Sequence, residues 1–271
     1  MQIESYWHPY PGMADPGDYP GRLIVLEGTD GVGRSTQIRL LRRWLESSGI
    51  AVLDTGLTRS NLAGRHLRQA REGHTMGRMT QALYYATDFA DRLENEILPA
   101  LRAGYIVLTD RYVYSLIARA AVRGMDPQVL RRVYGFAVKP SAIYYLKISL
   151  PELMPRVLAS GGFDYWEAGA DYIASEDLYE CFVKHQTALL HQFDCMTEEF
   201  GFHVVDASRS IEATLDTLQY MVADVVKEIA PVRPGKVMLE ASAELSPERE
   251  RPSDALSDLL QDFLSSLDKQ S

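Results

Sequence analysis

A chain of 271 residues, 46% of them hydrophobic, is long enough to bury one sizeable α/β core plus extensions. Its formal net charge of −9 argues against a broad nucleic-acid or anionic-membrane surface and for a small substrate, while leaving room for a local basic pocket that holds phosphates. The opening residues, MQIESYWHPYPG, lack the basic and apolar regions of a secretion signal, and no run approaches a membrane span, so a cytoplasmic location is expected.

Residues 1–20 carry Pro9, Pro11, Pro16 and Pro20 among Tyr6, Trp7, Tyr10 and Tyr19, and read as an irregular N-terminal arm whose aromatics are expected to pack over the domain's edge, a binding motif being the alternative although their spacing defines no pocket. The domain proper spans 21–230. Leu23-Ile24-Val25-Leu26 has the unbroken apolar character of a strand buried on both faces. Gly28-Thr29-Asp30-Gly31-Val32-Gly33-Arg34-Ser35, followed by Thr36, then has the glycine spacing of a phosphate-binding loop that opens a helix. The glycines let backbone N–H groups turn inward around a polyphosphate, and the helix aims its positive end at the same place. Arg34 stands where the motif wants Lys, so the cation expected at the outer phosphates keeps its charge but has a planar, larger head.

A helix is expected over 36–48, with Ile38, Leu41 and Leu45 on one stripe and Gly49 ending it, and a second strand over 50–53. Residues 55–80 read as a polar loop carrying Thr58-Arg59, where loops leaving parallel strands face a ligand crevice. A helix over 79–101 and a strand over 105–109 follow, the strand ending in Asp110-Arg111-Tyr112. The spacing then predicts helices at 115–123 and 127–136, a strand at 142–148 and a helix at 151–158. The glycine- and aromatic-rich stretch 160–174 reads as a flexible flap. A long helix capped by Ser175 reaches Phe200, then come a strand at 202–205, Asp206-Ala207-Ser208, and a closing helix at 211–229. From Pro231 the composition becomes that of a linker, 231–251, before a short amphipathic helix, 252–271, with Leu256, Leu259, Leu260 and Phe263 on one stripe. That helix has two open readings: docking on the chain's own surface or in a partner's groove.

Cys181 and Cys195 are too far apart for a metal motif and are expected as reduced thiols. His185 and His191 read as helix surface, with no zinc inferred.

Four blocks in order give the chain a resemblance to thymidylate kinases, within the P-loop nucleoside monophosphate kinases: Leu26 to Gly33 with Ser35-Thr36-Gln37; Thr58-Arg59; Ile97 to Leu101 running on to Thr109-Asp110-Arg111-Tyr112; and Asp206-Ala207-Ser208. The resemblance covers roughly residues 22–229. It implies a P-loop NTPase α/β fold of three layers with a five-stranded parallel sheet flanked by helices, an ATP donor with Mg²⁺, a nucleoside monophosphate acceptor, and a lid at about 155–175. The family is commonly dimeric, so a homodimer is carried as an expectation. By resemblance, Gly28 to Thr36 would bind the donor phosphates, Ser35 and Asp110 the Mg²⁺, and Arg34, Asp110 and Arg111 would be catalytic. Asp30, Arg59, Tyr85 and Arg111 would bind the acceptor: Asp30 near its sugar hydroxyl, Arg111 on its phosphate, Tyr85 against its base. Read from the residues alone, Asp110 and Arg111 are also compatible with a surface ion pair, and Tyr85 with a core aromatic.

The chain departs from the family at several places. Phe89 follows Asp88 where the family has an Arg that orients the base; Tyr114, Ser115, Leu116, Ala118, Arg119 and Ala120 replace a run of sugar- and base-contacting residues; and Tyr165 replaces the lid's Arg between Asp164 and Glu167. The leading reading is a kinase acting on dTMP. Two alternatives stand beside it: a nucleotide-binding pseudokinase with a regulatory or scaffolding role, and a P-loop kinase with another acceptor.

Overall fold

The computed structural model describes residues 19–72, 76–227 and 229; most of the arm, the expected linker at 231–251 and the helix at 252–271 lie outside them. Five strands, β1 (Arg22–Glu27), β2 (Val52–Gly56), β3 (Ile106–Asp110), β4 (Ala142–Lys147) and β5 (His203–Asp206), form one sheet in the order β2-β3-β1-β4-β5. Every neighbouring pair is parallel, with Leu26 opposite Asp110 and Lys147 opposite Asp206. The expected three-layer fold is therefore present.

The alternation within β1 divides the core. Leu23 and Val25 enter one apolar cluster with Phe89, Leu93, Ile97, Ile117 and Phe193, whereas Ile24 and Leu26 enter another with Ile38, Leu41, Leu45, Leu218 and Val222. Successive side chains point to opposite faces of a strand, so an unbroken apolar run requires helices on both. On one face lie α1 (Arg34–Ser47), α7 (Leu150–Ala159) and α9 (Ile211–Val226). On the other lie α3 (Arg78–Arg92), α4 (Leu98–Arg102), α5 (Val113–Val122) and much of α8 (Leu178–Phe200). The intervening α2 (Gly64–Glu72) and α6 (Pro127–Val133) complete the helices.

Several boundaries differ from expectation for identifiable reasons. β2 begins two residues late and extends to Gly56, because its ladder with β3 continues to Gly56 opposite Asp110. α2 forms inside the stretch read as loop, where its polar sequence shows no long apolar stripe. The expected helix over 79–101 is interrupted by a π-helical turn, Leu93–Ile97. Pro99 follows that turn; it has no N–H to offer Asn95 and its ring crowds that carbonyl, so the wider turn relieves the conflict. α8 is capped by Asp177, which accepts from the Tyr179 amide, and not by Ser175. α7 opens with a capping box between Ser149 and Glu152.

Tyr19, the arm's described aromatic, is buried, with Arg102 Nε donating to its hydroxyl at 3.2 Å. Cys181 and Cys195 are free thiols. Among the described residues no helix is long and apolar enough to cross a membrane.

Candidate functional site

Because the sheet is parallel, the loops after β1, β2 and β3 leave its same edge, beside the point where the chain crosses β1 to begin β4. The loop after β1 is shaped by its glycines: Gly28 (φ 147°) and Gly31 (φ 78°) hold positive φ, and a Cβ on Gly28 would come within 2.8 Å of the Leu146 carbonyl. Gly33 caps α1 in the left-handed region, so the first free amides of α1 face the loop.

Asp30, Gly31, Arg34, Ser35, Gly56, Leu57, Arg59, Asp110, Arg111 and Glu167 line one polar cleft of about 340 Å³. Arg34 and Ser35 both bind the carboxylate that ends β3: Arg34 Nε meets Asp110 Oδ1 and Ser35 Oγ donates to Oδ2, each at 2.7 Å. Burial would raise the Asp110 carboxyl, but the Arg34 guanidinium, the Ser35 hydroxyl and Arg59 outweigh it and hold the group below the usual carboxylate range. Arg34 also turns inward, its Nη1 donating to the Gly28 carbonyl at 2.6 Å and to that of Thr29. The guanidinium thus braces the loop from inside, and sequence offered no sign of this orientation. Arg59 reaches Asp54 at 3.0 Å from the rim of the cleft.

Asp30 is buried and engaged on both oxygens, by Arg111 on one and Arg119 on the other. Arg111 sits in a left-handed backbone (φ 70°), its amide bonded to the Leu26 carbonyl at 3.0 Å. Burial, then the neighbouring Arg119, push it down to about 9, so it remains cationic at neutral pH. Arg119 leads from this cleft into a second recess, lined by Arg78, Gln81, Tyr85, Arg123, Tyr134 and Trp166. Tyr85 therefore borders a pocket, while Phe89 does not: it is fully buried against Tyr112, Tyr134 and Phe136. A third recess, beside Gly31, Gly33, Thr36 and Gln37, is bordered by Arg156, Arg209 and Ile211.

Four features escaped the sequence reading. Glu27, fully buried, accepts from the Tyr112 amide at 2.8 Å and the Ser115 hydroxyl at 2.5 Å, placing a carboxylate at the start of α5. Burial pushes its pKa up, against the Ser115 and Tyr112 hydrogen bonds. A Glu directly after the apolar run Leu23–Leu26 was the available signal. Asp88 accepts from the Thr58 and Ser60 amides at 3.0 and 3.1 Å and from Arg92 Nε at 3.2 Å, so a buried ion pair on α3 fixes the loop that carries Arg59. His185, read as helix surface, is fully buried, its Nδ1 2.9 Å from the Tyr172 hydroxyl; burial, then Arg123 and Arg119, lower it to about 2. The stretch after α7, read as a flap, is docked: Trp166 and Ala168 are buried.

The thymidylate kinase family model matches residues 26–218. A probable thymidylate kinase 2 of Saccharolobus solfataricus is 34% identical over 194 residues, 71% of this chain and 91% of that protein. A probable thymidylate kinase of Pyrococcus horikoshii is 35% identical over 199 residues, again 71% and 91%. The thymidylate kinase of Akkermansia muciniphila is 35% identical over 171 residues, 62% and 82%.

Proposed function

The chain belongs to the thymidylate kinase family, and from that premise we propose that it transfers the γ-phosphate of ATP to a nucleoside monophosphate, dTMP first among the acceptors. The observation that carries this reading is the polar cleft, where Asp30, Arg34, Ser35, Arg59, Asp110 and Arg111 converge from the ends of three strands. Phosphoryl transfer asks mainly for positioning and charge neutralisation, and no nucleophilic side chain is required.

Residues 28–36 would hold the donor phosphates through the loop amides and the N-terminus of α1. Ser35 Oγ and the Asp110 carboxylate, 2.7 Å apart, are hard oxygen donors that fit Mg²⁺, an ion bound through one or two carboxylates and substrate phosphates. When bound, that ion would offset negative charge on the donor phosphates. Arg111, cationic and lining the polar cleft together with Arg59, is suited to clamp the acceptor phosphate. Asp30 holds Arg111 on one carboxylate oxygen and Arg119 on the other, and would lie near the acceptor's sugar. Tyr85 would offer its ring to the base.

Three arginines, Arg78, Arg119 and Arg123, on the wall of that pocket favour a second reading in which the preferred acceptor is a nucleotide other than dTMP. The pseudokinase reading gains no support, since the relatives matched are named as thymidylate kinases. A coupled ATP-consumption assay with Mg²⁺ over a panel of nucleoside monophosphates tests the proposal. Turnover with dTMP that Arg111→Ala abolishes is expected. Nucleotide binding without turnover of any acceptor would refute it.

A further inference from the structure

The contacts of the stretch after α7 fasten it beside the Tyr85 pocket. Asp164 Oδ1 accepts from the Trp166 and Glu167 amides at 2.9 and 3.1 Å, closing a tight turn at the head of the lid. The two residues of that turn face different recesses: Trp166 lines the Tyr85 pocket and Glu167 the polar cleft. Trp166 is only 9% exposed, so its indole is seated against the pocket wall and not held out in solvent.

Side chains from outside the lid fasten it, Arg123 with the most bonds. Arg123, at the end of α5 and 6% exposed, grips both oxygens of Asp171 (2.8 and 2.9 Å), donates to the Trp166 carbonyl at 3.0 Å and to the Arg119 carbonyl at 3.1 Å, and lies 5.3 Å from the centre of the Tyr172 ring. A paired, planar fork of this kind fixes orientation as well as distance. Its own carbonyl accepts from Arg78 at the start of α3, 2.8 Å away, which ties the same point to another lining residue of the pocket. From α8, Gln186 Nε2 holds the Glu167 carbonyl at 2.9 Å, and the lid backbone at Gly169 runs so close to His185 that a Cβ there would fall 2.8 Å from the imidazole.

We infer that Arg123 is a positioning residue that latches the lid over the acceptor pocket, with Trp166 as its aromatic roof, so that in this chain the lid governs binding of the nucleoside monophosphate. The inference rests on the reading of the Tyr85 pocket as the acceptor's. A second large flat ring lining the same pocket as Tyr85 would offer a nucleobase another apolar face, and a closed roof would exclude water from the transfer site. Arg123 also lines the pocket wall, but its guanidinium is committed to Asp171 and the Trp166 carbonyl, so in this scheme it acts on the acceptor through the lid.

The test uses the full chain and its Arg123→Ala, Arg123→Lys, Trp166→Ala and Trp166→Phe variants. Each is titrated calorimetrically with ATP and, separately, with whichever of dTMP, dUMP, dCMP, dAMP and dGMP binds the unsubstituted protein tightest. The latch predicts that Arg123→Ala and Trp166→Ala weaken nucleoside monophosphate binding at least about tenfold and leave ATP binding within about twofold, whereas Trp166→Phe stays within about threefold of the parent. Amide hydrogen exchange supplies the second readout: Arg123→Lys, which keeps the charge and loses the fork, accelerates exchange over residues 160–177 and leaves the five strands unchanged. Parallel loss of ATP and nucleoside monophosphate affinity, no loss of either, unchanged exchange in the lid, or a parent protein that binds none of the five monophosphates each overturns the latch. A parent that binds a monophosphate without turning it over defeats the kinase reading instead, and the titrations still decide the latch.

Discussion

Replacing Arg34 by Lys separates its bracing of the loop from any part it takes at the phosphates. Arg34 is 7% exposed and spreads one guanidinium over three acceptors, the Asp110 carboxylate and the carbonyls of Gly28 and Thr29. A Lys ammonium is a point charge on a flexible stem and cannot serve all three while also reaching a phosphate. With hydrogen bonds to charged groups worth about 1.5–3 kcal/mol each, and part of the loss recovered by one surviving contact, the nucleotide-free protein should lose about 2 kcal/mol. For a domain of this size that corresponds to a fall in melting temperature of about 4–8 °C. The turnover number should move the other way. Freed from the loop carbonyls, the substituted ammonium would present its charge to the donor and release Asp110 from its closest ion pair, raising kcat by about tenfold or more. Thermal melts without nucleotide and the coupled ATP assay with dTMP measure both. An Arg34→Lys variant that melts within about 1 °C of the parent and turns over no faster would refute the argument that Arg34 is a brace whose orientation limits catalysis.

Three further outcomes follow from buried polar groups and a helix cap. Arg92→Ala strands the fully buried Asp88 carboxylate, so urea denaturation should show a loss of about 3–5 kcal/mol, against a much smaller one for a change at the exposed Arg42. His185 has a folded pKa depressed to about 2 against an ordinary value of 6.5, so the unfolded chain takes up its proton first as pH falls. Its contribution to stability is therefore intact above pH 6.5 and declines below it at up to about 1.4 kcal/mol per pH unit; His185→Asn should flatten that part of the stability profile, and an identical profile for both proteins would contradict it. Ser149→Ala removes one half of the α7 capping box and should cost about 1 kcal/mol in the same denaturation assay without altering turnover.

Much of this molecule was legible because it is written in short-range patterns. The apolar run before Gly28, the glycine spacing through Gly33 and the helical stripe of Ile38, Leu41 and Leu45 each depend on neighbours within a few residues, and they point to the parallel three-layer fold. The same logic puts Arg59 and Asp110-Arg111 at strand ends, and parallel pairing is sufficient to bring such ends to one edge. Side-chain partners are a different matter. Arg34 turns toward Asp110, 76 residues away, and Glu27 meets Ser115, 88 residues away, so their orientations follow from sheet order and not from local sequence. The position of Phe89 along α3 invites comparison with a base contact; in the folded chain it is instead buried against Tyr112 and Tyr134. His185 and Trp166 gain their settings only where the stretch after α7 lies against α5 and α8. Periodicity specifies which face of an element is buried, whereas the choice of partner for a charged or aromatic group is a competition among all groups the fold brings near. That competition is decided only in three dimensions.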